Sequence, residues 1–267
     1  MLKWKLLVTT LPFVLLVVAL AVVRDNVLHL KGVIEFSEIS PMLAVVSLIV
    51  GFMLAGVLAD YKESEKLPTE IATALETIGD TVEIAIALNK DTDVSDFMPR
   101  FRALVSTVDN WFMRRTGVAK CYAALVDFRD VAQRMHPAVG VNYTIRCLGE
   151  MHNLRRSITR ADVIERTSFI PVGYILLDLL VGSTLLIMLV ANYKTPLSGY
   201  FLIFLISLIY IYTDRLIRDV DHPFAYHSAG HRPGSAEVDP YPILEYRARL
   251  EVAQLGRISP ARQDVGD

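Results

Sequence analysis

The sequence predicts an all-α membrane protein in which four transmembrane helices, two and two, flank an inserted cytosolic helical bundle. Two observations carry this. Four apolar runs lie at 6–23, 41–59, 169–191 and 197–213. Each is close to the ~20 residues a helix needs to cross ~30 Å of hydrocarbon at ~1.5 Å per residue. The polar segment between the second and third runs shows helical periodicity and no alternating strand pattern. Composition agrees: 53% of the 267 residues are apolar and mean hydropathy is +0.40, high for a soluble domain. The net charge of -2 gives no footprint for a nucleic-acid partner. The chain divides into a first helix pair (1–59), an insert (60–168), a second helix pair (169–213) and a tail (214–267).

Lys3 and Lys5 precede the first run, as in a signal peptide. The run is longer than a 7–15-residue signal core and no small-x-small cleavage site follows it before Arg24. A retained first membrane helix is expected, with Trp4 at the interface. The short connections at 24–40 and 192–196 carry Arg24, Lys31 and Lys194, whereas Lys62, Lys66, Arg155, Arg156, Arg160, Arg166, Arg215 and Arg218 flank or follow the other membrane ends. The positive-inside rule then places both termini and the insert in the cytoplasm. Cys121 and Cys147 fall in the insert without metal-ligand or disulfide spacing and are expected as reduced thiols.

Within the insert, Pro68 and Thr69 open a helix carrying Ile71, Leu75, Ile78, Val82 and Ile86 at three- and four-residue steps. Residues 89–96 form a polar loop. Ser95 is the expected cap of a second helix with Phe101, Leu104, Val105, Val108 and Phe112, ending at Gly117. A third helix is expected from Val118 to His136, stopped by Pro137. A fourth is expected from Val139 to Glu165, with Ile145, Leu148, Met151, Leu154 and Ile158 inward. A short terminal helix is expected over 245–255.

The second membrane run holds two rows at four-residue steps. Ser47, Gly51, Ala55 and Ala59 are small, and small rows let helix backbones approach closely. Ala44, Leu48 and Phe52 run beside them, the last two bulky. Ordinary packing explains both rows, and so does a ring of identical helices around a narrow axis.

The stretch Ser47-Leu48-Ile49-Val50-Gly51-Phe52 resembles the neck segment of bestrophins. Asp60-Tyr61-Lys62-Glu63, with Leu67-Pro68 beyond, is similar to the polar exit of that helix. Ile217-Arg218-Asp219-Val220-Asp221-His222-Pro223-Phe224 resembles the acidic segment after the last membrane helix in bacterial bestrophins. Asp239 to Leu244 is similar to a further Asp-x-Pro-Leu element. The chain most resembles the bacterial bestrophin-like membrane protein family. The resemblance implies a homo-oligomeric channel, pentameric in bestrophins, in a bacterial inner membrane, with inorganic ions as cargo and no cofactor. Ala44, Leu48 and Phe52 fall on the family's neck positions, with Ala44 in place of an aliphatic, which widens one ring. A ring of apolar side chains gates by dewetting. No charge follows the neck on this helix until Asp60, so neither anion nor cation is specified, and bacterial members resemble cation channels.

Asp178 stands in the third apolar run, where a charge costs ~2.5–3.5 kcal/mol on insertion scales. It is expected to contact a proton or cation, or to be a protonated carboxyl bonded to Ser207 or Tyr210. In the tail, Asp219, Asp221, His222, His227 and His231 fall within thirteen residues. They match no strong zinc spacing, and two Asp are few for calcium's six to eight oxygens. Asp219 and Asp221 are an ion contact or tail clasp, or pair with Arg215, Arg218 or backbone amides, and a metal is left open. His136 and His152 have no nucleophile-base spacing, and Glu70, Glu76 and Glu83 are expected solvated or paired, so no enzyme is expected. Three functions remain: a channel, a membrane scaffold whose insert binds a cytosolic partner, and an ion- or proton-coupled transporter using Asp178.

Overall fold

The computed structural model describes residues 4–30, 32–88, 94–167, 171–224 and 236–258. In chain order the elements are α1 (Lys5–Asn26), β1 (Ile34–Glu35), α2 (Phe36–Ser64), α3 (Leu67–Leu88), α4 (Phe97–Phe112), α5 (Val118–Arg166), α6 (Pro171–Val190), β2 (Ala191–Asn192), α7 (Pro196–Val220) and α8 (Tyr241–Ile258). Four helical stretches, containing α1, α2, α6 and α7, are long and apolar enough to cross a membrane. Between 17% and 22% of each apolar stretch is buried within the chain. Many of the other apolar side chains are exposed, as a lipid or partner-chain surface requires. The chain forms two compact units, Met1–Lys62 with Thr167–Glu237, and Glu63–Arg166 with Val238–Asp267. The tail is therefore shared: residues to Glu237 go with the first unit and the rest with the second.

In the first unit, α1 lies along α7 and touches α6. Ala21, Met188 and Ile203 are fully buried there, with Val17, Val18, Leu43 and Tyr193 around them. A second core joins Val46, Val50, Met53 and Val57 of α2 to Leu177, Val181, Tyr210 and Ile217. α7 starts where Thr195 caps it, its side chain accepting from the Ser198 amide at 3.4 Å, with Pro196 opening the first turn. It runs seven residues beyond its apolar run, to Val220. The two short connections meet as a parallel pair, Ile34 opposite Ala191 and Glu35 opposite Asn192. Two residues per strand are too few for a period-2 pattern to show in the sequence. Arg24 closes this end, its Nη1 donating to the Ala191 carbonyl at 3.1 Å and also to that of Leu189.

In the second unit, Ile71, Leu75, Ile78 and Val82 form the buried stripe of α3, packed chiefly on α5. α4 buries Phe101, Leu104, Val105, Val108 and Phe112. Its N-cap is Asp96 rather than Ser95, and the helix ends at Phe112, five residues short of Gly117. Arg114 turns the chain there with φ 62°.

The third and fourth expected helices form one element, α5, broken at Gly140 rather than at Pro137. Gly140 has φ 77° and ψ 176°, a conformation essentially confined to glycine. The turn between the two halves therefore falls at the residue that adopts it without a Cβ clash, and Pro137 sits within the helix. Met151, Leu154 and Ile158 are buried as expected, but Ile145 and Leu148 face outward.

α8 starts at Tyr241, four residues before its expected start, because Asp239 Oδ1 accepts from the Tyr241 amide at 3.0 Å and Pro242 is tolerated in the first turn. The helix lies on α3 and α4. Tyr246 is buried, its hydroxyl donating to the Leu75 carbonyl at 3.3 Å, and Arg247 pairs with the buried Asp109 carboxylate.

Candidate pore-lining helix

α2 begins at Phe36, and Pro41 is its sixth residue. Its most apolar part has one face turned into the chain. Val46, Val50, Met53 and Val57 recur at helical spacing and are 1–8% exposed. Ser47 Oγ lies 2.8 Å from the Tyr210 hydroxyl. That hydroxyl donates its one proton to the Leu43 carbonyl at 3.1 Å, so Ser47 is the donor of the shared bond.

The other face is largely exposed among the described residues. Leu48 and Phe52, two residues beyond Val46 and Val50, lie about 200° round the helix from them at ~3.6 residues per turn. They are 57% and 69% exposed. Ala44, Gly51, Ala55 and Ala59 lie outside the buried stripe as well. A Cβ built at Gly51 would meet no atom within 4 Å beyond its own helix backbone, among the described residues. The small row, apart from the Ser47 hydroxyl, is thus not used to pack helices within one chain. It lies beside the bulky row on one continuous face.

The expected partners of Asp178 are corrected. Tyr210 is engaged by Ser47 and Leu43, and the Ser207 hydroxyl is buried without a hydrogen-bond partner among the described residues. Asp178 instead pairs with Arg218, whose Nε also reaches Asp214 at 3.1 Å. Sequence reasoning missed Arg218 because the apolar run ends at Thr213 while α7 goes on to Val220. The last two turns carry the guanidinium back to α6, where Asp178 is only the eighth residue. Arg218 also lies over the Tyr174 ring, 4.9 Å from its centroid.

In the tail, Asp221 accepts a hydrogen bond from the Tyr174 hydroxyl. Arg215 goes elsewhere, to the Thr9 carbonyl at 2.6 Å and the Phe13 ring. Tyr174 is the functional-looking residue that the sequence did not mark, because an interfacial tyrosine at the start of a membrane helix is ordinary. His227 and His231 lie outside the described residues. Among the described residues no group of three or more His, Cys, Asp or Glu could hold a metal ion. In the insert, Glu70 accepts from Ser157 Oγ at 3.0 Å and Glu76 pairs with Arg249 at 2.7 Å.

No protein-family model matches the sequence, and no curated protein does. Solved structures do match in fold. A bacterial bestrophin homologue from Klebsiella pneumoniae superposes with a TM-score of 0.71 at 11% identity, covering 94% of this chain and 98% of that one. A point variant of that homologue gives 0.70 at 11% identity, over 90% and 97% of the two chains. A further solved structure, of a membrane protein, gives 0.68 at 12% identity, over 94% and 97%. Near-complete coverage in both directions means that the membrane helices, the insert and the tail are matched together. This chain has the bestrophin fold.

Proposed function

We propose that this protein is the subunit of a homo-oligomeric, bestrophin-like ion channel of a bacterial inner membrane, with both termini cytoplasmic. In this reading α2 of each copy surrounds the axis, the apolar side chains of Leu48 and Phe52 form a neck, and Ala44 forms a wider ring. Ser47, Gly51, Ala55 and Ala59 let the neighbouring copy approach. The observation that carries the reading is the uncovered face of α2. Lipid tails are satisfied by any apolar surface, whereas a row of small residues gives close contact between helix backbones. A bulky apolar row beside that contact is what a dewetting constriction needs. Five copies, as in bestrophins, is the expected number, and inorganic ions are the expected cargo.

The test is ion flux from liposomes reconstituted with the purified protein. Phe52→Ala removes most of a side chain from each copy at the constriction and is expected to raise flux several-fold over wild type at equal protein content. Absence of flux from both proteins, or a particle image in which α2 does not surround a symmetry axis, would overturn the reading.

The scaffold reading has one observation in its favour. Val141, Ile145 and Leu148 share a stripe on α5 and are 57%, 63% and 39% exposed. It expects Ile145→Glu with Leu148→Glu to abolish partner capture while flux is unaltered. The transporter reading expects Asp178→Asn to stop transport without lowering membrane insertion.

A further inference from the structure

A cavity of about 470 Å³ opens beside the turn between α4 and α5, within the 300–1,000 Å³ range of small-ligand sites. Arg114, Arg115 and Arg166 line it, with Asp162 and Glu165 opposite and Trp111 as an apolar wall. Three guanidiniums against two carboxylates leave one positive charge. Glu165 holds Arg114, and Asp162 holds Arg166 at 2.9 Å. Arg115 reaches only the Asn110 Oδ1 atom, at 3.3 Å, and has no carboxylate partner among the described residues. Each guanidinium carries five N–H donors, so the two carboxylates orient two forks without exhausting them. Arg114 occupies the left-handed region with φ 62°, an uncommon conformation for a residue with a side chain. Thr116 also lines the cavity, and its hydroxyl oxygen is buried without a hydrogen-bond partner among the described residues. Arginine forks, an unused hydroxyl and the first amides of α5 are donors matched to one ligand chemistry.

We propose that this cavity binds a phosphate group, with Arg115 supplying the uncompensated charge, Arg114 and Arg166 the flanking forks, and Thr116 a hydroxyl donor. Two sources are chemically equivalent here, a soluble phosphate and the headgroup of an anionic lipid.

The chain holds two tryptophans, Trp4 and Trp111, so Trp4→Phe leaves Trp111 as a reporter inside the cavity. The full-length protein is held in dodecyl maltoside, which carries no phosphate. Inorganic phosphate is titrated in one arm and phosphatidylglycerol in the other, with ionic strength held by sodium chloride. A saturable change of Trp111 emission in either arm supports the site, and the arm that responds names the source. Arg115→Gln is expected to weaken the midpoint at least about tenfold, as for a lost charge-assisted bond. Thr116→Val, nearly isosteric, is expected to weaken it severalfold, while Arg129→Gln, an exposed arginine elsewhere on α5, leaves it unchanged. No saturable change in either arm, the same change with chloride alone, or equal midpoints for Arg115→Gln and Arg129→Gln would each overturn the proposal.

Discussion

Gly79→Ala tests how the tail helix is held. A Cβ at position 79 would lie 2.4 Å from the Tyr246 hydroxyl oxygen and 2.9 and 3.0 Å from the Phe101 ring edge. Phe101 is fully buried and Tyr246 is 5% exposed, so neither ring has open space to move into. Restoring ordinary contact moves the Tyr246 hydroxyl outward by about 1 Å, on the scale of van der Waals separations. That breaks its bond to the Leu75 carbonyl, now 3.3 Å. The lost bond costs about 0.5–1.5 kcal/mol and overpacking about 1–3 kcal/mol. The Phe101 part of the clash persists when α8 leaves, so about half of the overpacking term bears on docking. The net is about 2 kcal/mol against docking of α8, or roughly a thirty-fold rise in local opening. Hydrogen–deuterium exchange of α8 amides in the full-length protein measures this. Tyr246→Ala should accelerate the same amides, and adding Gly79→Ala to it should cost much less than in wild type, since the main clash is gone. Unchanged α8 exchange in Gly79→Ala, or full additivity of the two changes, would refute the close approach as the cause.

Acid stability depends in part on Asp96. The Arg134 hydrogen bonds, at 3.1 and 2.6 Å, hold its carboxyl below the usual carboxylate value, with the Arg134 and Arg100 charges adding to this. A depressed folded-state pKa gives stability that is present above the unfolded value and lost as pH falls through the folded one. Arg134→Gln should therefore flatten the acid limb of a pH–stability profile, and an unaltered limb would contradict this. Burial pushes the thiols of Cys121 and Cys147 up to about 12. Neither should react with a thiol reagent at pH 8 in the native protein, while both should react once it is unfolded. Rapid native labelling of either would show that the insert core is open. The raised values also mean that stability from these thiols is present below the unfolded value and lost as pH rises through about 9 towards about 12.

The helices that bear on a membrane were legible from residue order alone. Lipid leaves no alternative partner for backbone groups, so the four long apolar runs had to be helices. Most of the insert was legible too, because the stripes Ile71-Leu75-Ile78-Val82 and Met151-Leu154-Ile158 have a period that only one buried face satisfies. The rows Ala44-Leu48-Phe52 and Ser47-Gly51-Ala55-Ala59 could likewise be read from spacing. Which face of α2 packs inside its own chain could not, since both faces are apolar. It took the folded chain to place Val46, Val50, Met53 and Val57 inside and to leave the other two rows outside that core.

The rest was hidden for related reasons. Asp178 and Arg218 stand forty residues apart, on helices whose lengths apolarity understates, because α7 continues past Thr213 as a polar helix. The break in α5 depends on backbone torsion: it falls at Gly140 with its positive φ, and Pro137, three residues earlier, stays inside the helix. The phosphate cavity needs Arg114, Arg115 and Thr116 beside Asp162, Glu165 and Arg166, two segments about fifty residues apart that share no periodic signal. Periodicity reports which side of an element avoids water, and it does not say which other element, or which other chain, covers that side.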